Sequence, residues 1–187
     1  MLFHQAEMFN RRASRPKFKA AEIFATLQIS VKGTVADIGS GGGYFTMRFA
    51  EAVGLDGKVY ALDTNPNLLN YIAKIASENQ MTHIETVLIA DTGINLPGPG
   101  CDLIFLRNVF HHIEKPVDYF KKLKPALKPG GKIAVIDYRK GKALNFITLF
   151  GHCVAAGVIH ESLQKAGCKL FASYDFLPEQ SFDVFQL

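Results

Sequence analysis

Short apolar runs alternate with longer stretches of helical periodicity along most of this chain. Apolar runs typical of buried strands lie at 35–38, 58–63, 84–91, 102–107 and 132–138. Stretches typical of helices lie at 43–53, 66–79, 115–127 and 158–166. This alternation predicts an α/β fold with a mostly parallel sheet, whose strands are apolar nearly throughout because helices cover both of its faces.

Both ends of the chain add elements to this repeat. Two strand-like runs, 169–176 and 181–187, flank the turn L-P-E-Q and predict a C-terminal hairpin. Before residue 31 there is room for one or two helices, near 3–9 and 18–27. We therefore expect an N-terminal basic arm and helix at 1–30, followed by a single main domain at 31–187. Pro125 is expected to kink the helix at 115–127 or to end it early.

Composition and charge narrow the class of protein. The length of 187 residues suits one domain, and 48% hydrophobic residues suffice for a sizeable core. The apolar run 145–159 is too short to span a bilayer, and the start of the chain lacks the apolar stretch of a secretory signal. Three widely spaced cysteines argue against a disulfide framework. Together these features favour a cytoplasmic protein.

The net charge of +4 is concentrated at the N-terminus. Residues 1–20 contain five basic residues and one acidic residue, so the rest of the chain is balanced. Nucleic acid is therefore an unlikely partner for the main domain. A solvated basic arm is the favoured interpretation of the N-terminus, and contact with phosphate or a membrane surface is the alternative.

The run V35-A-D-I-G-S-G-G-G-Y-F45 is the most informative motif. Its glycines, Gly39, Gly41 and Gly43, let the backbone turn sharply beside a ligand. A dinucleotide turn would need a glycine where Tyr44 stands. Asp37 lies two residues before the first glycine, where a carboxylate would repel a pyrophosphate and favour a cation. The motif therefore favours a positively charged, nucleoside-like ligand, and the alternatives are another nucleotide-binding fold or a purely structural turn.

Acidic residues end the next two predicted strands as well. Asp63, in L62-D-T-N-P66, could accept both hydroxyls of a ribose, although dinucleotide enzymes also place an acid there. Asp91 ends the run I89-A-D-T92 in the same way. Two more motifs follow, C101-D-L-I-F-L-R-N-V-F-H-H-I113 and L127-K-P-G-G-K-I-A-V-I-D-Y138.

Taken in this order and spacing, the motifs across 35–138 resemble the class I methyltransferases that depend on S-adenosylmethionine (SAM). The resemblance is to the small type 11 kind, related to quinone-biosynthesis and arsenite methyltransferases. It implies a single Rossmann-like three-layer domain whose mostly parallel seven-stranded sheet has an antiparallel last strand. It also implies SAM as the cofactor and S-adenosylhomocysteine as the product.

The resemblance assigns parts of SAM to particular residues. Asp37 and the turn residues Gly39, Ser40, Gly41 and Gly43 would hold the methionine part. Asp63 and Thr64 would hold the ribose, and Asp91 and Thr92 the adenine. The backbone near Arg107 would close the site from the fourth strand.

Methyl transfer from SAM is an in-line displacement at an activated carbon, so no metal is required. A general base is needed only where the nucleophile must lose a proton. The candidates are His111, His112, Asp137 and Tyr138, and we favour the histidines because neutral imidazole is available near pH 7. Equally, the histidine pair could cap a helix and pack beside the cofactor.

The segment 139–157 is expected to form a substrate lid. Its Leu149, Phe146 and Phe150 fit either an apolar or aromatic substrate or simple packing of the lid. The sequence G-H-C-V in this segment lacks the arginine of similar chains, which puts an anionic substrate contact there in doubt. The cysteines are too scattered for thiol-based arsenite chemistry and are interpreted as small buried hydrophobes.

We expect a small molecule as methyl acceptor, because the chain has no separate recognition domain. Two alternatives remain open. The chain could methylate RNA or protein, with the basic arm supplying phosphate contacts, or it could be a non-catalytic subunit that binds SAM. The sequence does not indicate the oligomeric state.

Overall fold

The computed structural model describes residues 4–90, 96, 100–140 and 153–187. Within these ranges the helices are α1 (His4–Ala13), α2 (Ala20–Leu27), α3 (Tyr44–Val53), α4 (Pro66–Glu78), α5 (Pro116–Leu123) and α6 (Ala156–Lys165). The strands are β1 (Thr34–Ile38), β2 (Lys58–Asp63), β3 (Ile84–Leu88), β4 (Cys101–Arg107), β5 (Leu127–Tyr138), β6 (Lys169–Tyr174) and β7 (Gln180–Gln186).

All seven strands belong to one sheet, in the order β3-β2-β1-β4-β5-β7-β6. The first five strands pair in parallel, whereas β7 runs antiparallel to both β5 and β6. Strand β7, the last in the chain, therefore lies between β5 and β6. This confirms the predicted α/β class, the seven-stranded sheet and the C-terminal hairpin.

Two apolar clusters cover the two faces of the sheet. One contains side chains of α5 and α6, among them Phe120 and Leu163. The other contains side chains of α2 and α3, among them Ile23 and Phe49. The expectation of cover on both faces is wrong for β3, which lies at one edge of the sheet and is partly exposed. Strand β6, at the other edge, is partly exposed as well.

Proline and asparagine set the helix boundaries near the site. The Asn65 side chain accepts a hydrogen bond from the Asn67 amide and caps α4, and Pro66 occupies its first position. Helix α5 ends at Leu123 and gives way to a 3₁₀ turn that contains Pro125. The predicted early end of this helix is thus confirmed. Strand β5 begins earlier than predicted, at Leu127 instead of residue 132.

The connections around β1 position the site. Strand β1 pairs with β2 on one side and β4 on the other. The order of the strands therefore reverses between β1 and β4: β2 and β3 follow on one side of β1, and β4 and β5 on the other. In open α/β sheets such a reversal opens a crevice at the carboxyl ends of the strands. The residues that follow β1, β2 and β4 therefore meet at one edge of the sheet.

Candidate functional site

A cavity of about 1500 Å³ opens at this edge. Most of the residues that the sequence predicted for the site line it, namely Asp37, Gly39, Ser40, Gly41, Asp63, Thr64, Arg107, His111 and His112. Gly43 lies beside it, at the start of α3. Asp91 and Thr92 lie outside the described residues, as does most of the predicted lid. The predicted adenine contacts and the substrate contacts of the lid therefore stay predictions.

The glycine-rich turn needs its glycines for both conformation and space. Gly39 and Gly43 have φ angles of 71° and 82°, in the left-handed region that side chains disfavour. A Cβ atom on Gly39 would collide with the side chain of Val109, and one on Gly43 would lie 2.8 Å from Ile72. The turn also hydrogen-bonds to the neighbouring strand, since the amides of Gly39 and Ser40 both donate to the Leu62 carbonyl.

The Asp63 carboxylate links the glycine turn to the start of α4. Its Oδ2 accepts a hydrogen bond from the Gly41 amide at 2.9 Å, and its Oδ1 accepts one from the Asn65 amide at 3.0 Å. A carboxylate has about four acceptor positions, so these two bonds fix its orientation and leave others for a ligand. Asp63 is half-buried in the cavity wall. This arrangement suits the recognition of paired hydroxyl groups.

Asp37 is the most deeply buried carboxyl group of the cavity wall, with 3% of its surface exposed. Burial raises its pKa from 3.8 to about 7, and the nearby charge of Asp63 adds to the rise. A hydrogen bond from the Thr46 hydroxyl, at 2.6 Å, and the charge of Arg107 oppose it. A cation bound beside Asp37 would favour the ionised carboxylate, as the sequence prediction requires.

His111 is held by a buried acid on the adjacent strand. Its Nδ1 lies 2.8 Å from Oδ1 of Asp137, and its backbone amide donates to Oδ2 at 3.1 Å. Asp137 is fully buried and also accepts a hydrogen bond from the Tyr138 amide, so both of its oxygens act as acceptors. This partner assigns the proton of a neutral His111 to Nδ1 and the lone pair to Nε2. The exposed ring of His112 lies beside that of His111, with the ring centres 4.0 Å apart and the ring planes tilted by 49°.

The N-terminal helix packs directly on the glycine turn, which sequence reasoning missed. The Asn10 side chain donates to the Gly42 carbonyl at 2.7 Å, and Gly42 is so close to α1 that a Cβ atom would strike the Ala6 carbonyl. Gln5, Phe9 and Asn10 line the cavity. The basic side chains of residues 11–17 are exposed. No motif in the sequence marks Asn10, because its role depends on how α1 packs.

Two of the three cysteines belong to the core. Cys101 and Cys168 are buried in the apolar cluster under α5 and α6, and burial raises the pKa of the Cys101 thiol to about 11. Cys101 also starts β4, at the end of the strand remote from the cavity. These two thiols are therefore small hydrophobes, as predicted. In the described part of the chain no helix is long and apolar enough to cross a membrane.

A parallel sheet with an antiparallel strand in its C-terminal half, a glycine turn after β1 and an acid after β2 together define a Rossmann-like methyltransferase fold. Residues 29–182 match the family described as methyltransferase domain. The chain belongs to this family, which confirms the resemblance drawn from the motifs.

Similar proteins agree on this class. A demethylmenaquinone methyltransferase of Geobacillus is 26% identical over 149 residues, which cover 79% of this chain and 62% of the relative. A trans-aconitate 2-methyltransferase of Rhizobium leguminosarum is 30% identical over 127 residues, covering 68% of this chain and 46% of that protein. The chain thus spans only about half to three fifths of these relatives.

Solved structures show the same fold. A SAM-dependent methyltransferase from Aquifex aeolicus superposes with a TM-score of 0.83 at 21% identity, and the match covers 95% of this chain and 96% of that one. A second, from Mesorhizobium loti, gives a TM-score of 0.75 at 16% identity over 89% of this chain and 96% of that chain. The fold is therefore shared over most of this chain and nearly all of both structures.

Proposed function

We propose that this chain transfers a methyl group from SAM to a small-molecule acceptor in the cavity at the carboxyl edge of the sheet. The observation that carries the proposal is the presence of two carboxylates, Asp37 and Asp63, beside one glycine-rich turn. The negative charge that these groups carry disfavours the pyrophosphate of a dinucleotide. They suit a nucleoside that bears cationic groups.

The residues present fit SAM in three respects. Asp63 has acceptor positions left for ribose hydroxyls after its two bonds to the backbone. Asp37 is a buried carboxyl that a neighbouring cation would stabilise in its charged form. The side chain of Ile89 adds an apolar wall beside Asp63. When bound, SAM supplies a methyl group on a sulfonium centre, which a nucleophile can attack directly.

The chain's own residues have three roles in this proposal. The glycine turn and Asp63 bind and orient the cofactor, and correct positioning alone can lower the barrier by roughly 7–11 kcal/mol at best. Helix α1 covers the turn and limits the access of water. His111, with its lone pair on Nε2, takes the proton from an acceptor that must lose one, while Asp137 holds its ring.

The cavity supports a small acceptor. Its volume of about 1500 Å³ exceeds the roughly 300–1,000 Å³ of a pocket for one ligand, which leaves room for a second molecule beside the cofactor. Two relatives are named for small acceptors, demethylmenaquinone and trans-aconitate. Because the chain spans only part of those proteins, neither acceptor is carried over.

Calorimetric titration of the purified chain with SAM, S-adenosylhomocysteine and NAD tests the proposal. We expect micromolar binding of the first two and none of NAD. Asp63→Asn should weaken the binding of S-adenosylhomocysteine by about 2–4 kcal/mol, the contribution of one or two hydrogen bonds to a charged group. Asp56→Asn removes a carboxylate that is exposed and pairs with Lys32 at 3.0 Å, so it is the matched control. If only NAD binds, the glycine-rich turn is a dinucleotide-binding turn and the proposal is refuted.

A further inference from the structure

Arg107 presents a partly buried positive charge at the end of β4. Its guanidinium carbon lies 4.8 Å from the ring centre of Phe18 and 5.1 Å from that of Phe45, so two aromatic side chains flank it. All three residues line the cavity. Burial lowers the pKa of Arg107 from 12.5 to about 10, which leaves the group positively charged at neutral pH. The side chain is therefore a fixed cation in the wall of the site.

Among the described residues, no carboxylate lies within 4.0 Å of this guanidinium. Its Nε is buried and has no hydrogen-bond partner there, and its Nη2 reaches the Gln180 Oε1 only at 3.5 Å. Asp37 acts on it electrostatically from farther away. A charge that is withdrawn from water and has no ion-pair partner is unfavourable, so this guanidinium favours the binding of an anion.

Neighbouring groups hold Arg107 in place and add donors. The side-chain nitrogen of Gln180 donates a hydrogen bond to the Asn108 side chain at 2.5 Å, which directs the side-chain oxygen of Gln180 towards Arg107. Arg12 of α1 donates to the Tyr138 hydroxyl at 3.2 Å, and its charge also lowers the pKa of Arg107. Arg12 and Tyr138 line the same cavity. Two guanidinium groups and a phenol thus converge, and in the described part of the chain no carboxylate forms an ion pair with Arg107.

We propose that Arg107, assisted by Arg12, is a receptor for a carboxylate group of a molecule bound in the cavity. The forked guanidinium matches a carboxylate in two parallel hydrogen bonds, and the flanking rings fix its plane. The inference rests on the proposed function, because it names a chemical group of the same site's ligands. The carboxylate belongs either to the methyl acceptor or to the methionine part of SAM, and both sources present the same chemistry.

Two binding experiments separate these sources, each on the wild type and on Arg107→Gln. The first compares S-adenosylhomocysteine with its decarboxylated analogue. The second saturates the protein with S-adenosylhomocysteine and titrates benzoate against benzamide, a neutral probe of the same shape, by ligand-observed NMR. If the receptor binds the carboxylate of the cofactor, the wild type should bind S-adenosylhomocysteine about tenfold or more tightly than its decarboxylated analogue, which is the effect of one charged hydrogen bond. Arg107→Gln should lose this preference. If the receptor serves the acceptor, the preference for benzoate should disappear in the variant instead.

Controls keep the outcomes distinct. Arg48→Gln removes a positive charge that stacks on the Tyr44 ring at 3.8 Å and does not line the cavity, so it should leave both preferences intact. Arg12→Gln is an exposed substitution that should reduce the same preference even where Arg107→Gln fails to fold. If S-adenosylhomocysteine does not bind the wild type, the proposed function fails. If it binds and neither preference depends on Arg107 or Arg12, the carboxylate receptor alone is refuted.

Discussion

Replacement of Asp37 by asparagine should make the empty protein more stable at neutral and alkaline pH. Asp37 is buried, and its pKa in the folded protein is about 7 against an ordinary value of 3.8. Asparagine keeps the size of the side chain, and its carbonyl can still accept the hydrogen bond from Thr46. It removes only the charge, which burial and the neighbouring Asp63 disfavour.

The size of the effect follows from the two pKa values. The folded protein binds the Asp37 proton more tightly than the unfolded chain does. The resulting stabilisation is therefore complete below pH 3.8 and is lost as the pH rises to about 7. Each pKa unit corresponds to about 1.4 kcal/mol, so ionisation of Asp37 destabilises the fold by about 4 kcal/mol at pH 8. Between pH 5 and pH 8 the change amounts to about 2–3 kcal/mol.

Urea unfolding of the wild type and Asp37→Asn at several pH values from 5 to 8 measures this change. The difference in the free energy of unfolding between the two proteins should grow by about 2–3 kcal/mol in favour of the variant. A constant cost of repacking cancels, because only the slope with pH matters. Asp56→Asn, at an exposed ion pair, should show no such slope. A difference that stays flat or shrinks as the pH rises would refute the argument.

Three further predictions concern the turn, the histidine and the N-terminal helix. Gly39→Ala should lower the free energy of unfolding by about 2–4 kcal/mol in urea melts, through the strained φ angle and the contact with Val109, and unchanged stability would contradict this. With an acceptor in hand, His111→Gln should reduce kcat by about 10²–10⁴ and His112→Gln far less, and equal rates for both variants and the wild type would exclude either as the base. Asn10→Ala should cost about 1 kcal/mol of cofactor affinity by calorimetry, because it removes the bond that holds α1 to the glycine turn, and an unchanged Kd would separate α1 from the site.

Much of the fold could be predicted because local patterns determine it. The apolar runs of β1, β2 and β4 are buried by sequence-adjacent helices, and glycine and proline mark the turns between them. The exposure of β3 and β6 could not be predicted in this way. This exposure depends on the order of the strands in the sheet. Two apolar runs of similar composition can form an edge strand with one neighbour or an inner strand with two, and the sequence does not distinguish them.

The candidate site divides along the same line. Asp37, Asp63 and the glycines could be found because each stands at a fixed position relative to a strand end. The contacts that adjust them come from other elements of the fold. Thr46 reaches Asp37 from the next helix, and Asn10 reaches the turn from a helix 32 residues earlier. Such partners carry no local signal, since many polar residues in other helices would look the same in the sequence.

The same distinction applies to charge. Sequence alone identifies Asp37 and Arg107 as ionisable, but only the packing shows that burial shifts the pKa of each towards its neutral form. The folded protein keeps a carboxyl and a guanidinium in one cavity wall without bringing them into an ion pair. A direct pair would satisfy both groups and leave little for a ligand to gain. Because the two groups are held apart, the charged form of each remains destabilising in the absence of a ligand. A ligand group of opposite charge relieves this destabilisation, so the free energy that the fold loses here is regained as binding free energy.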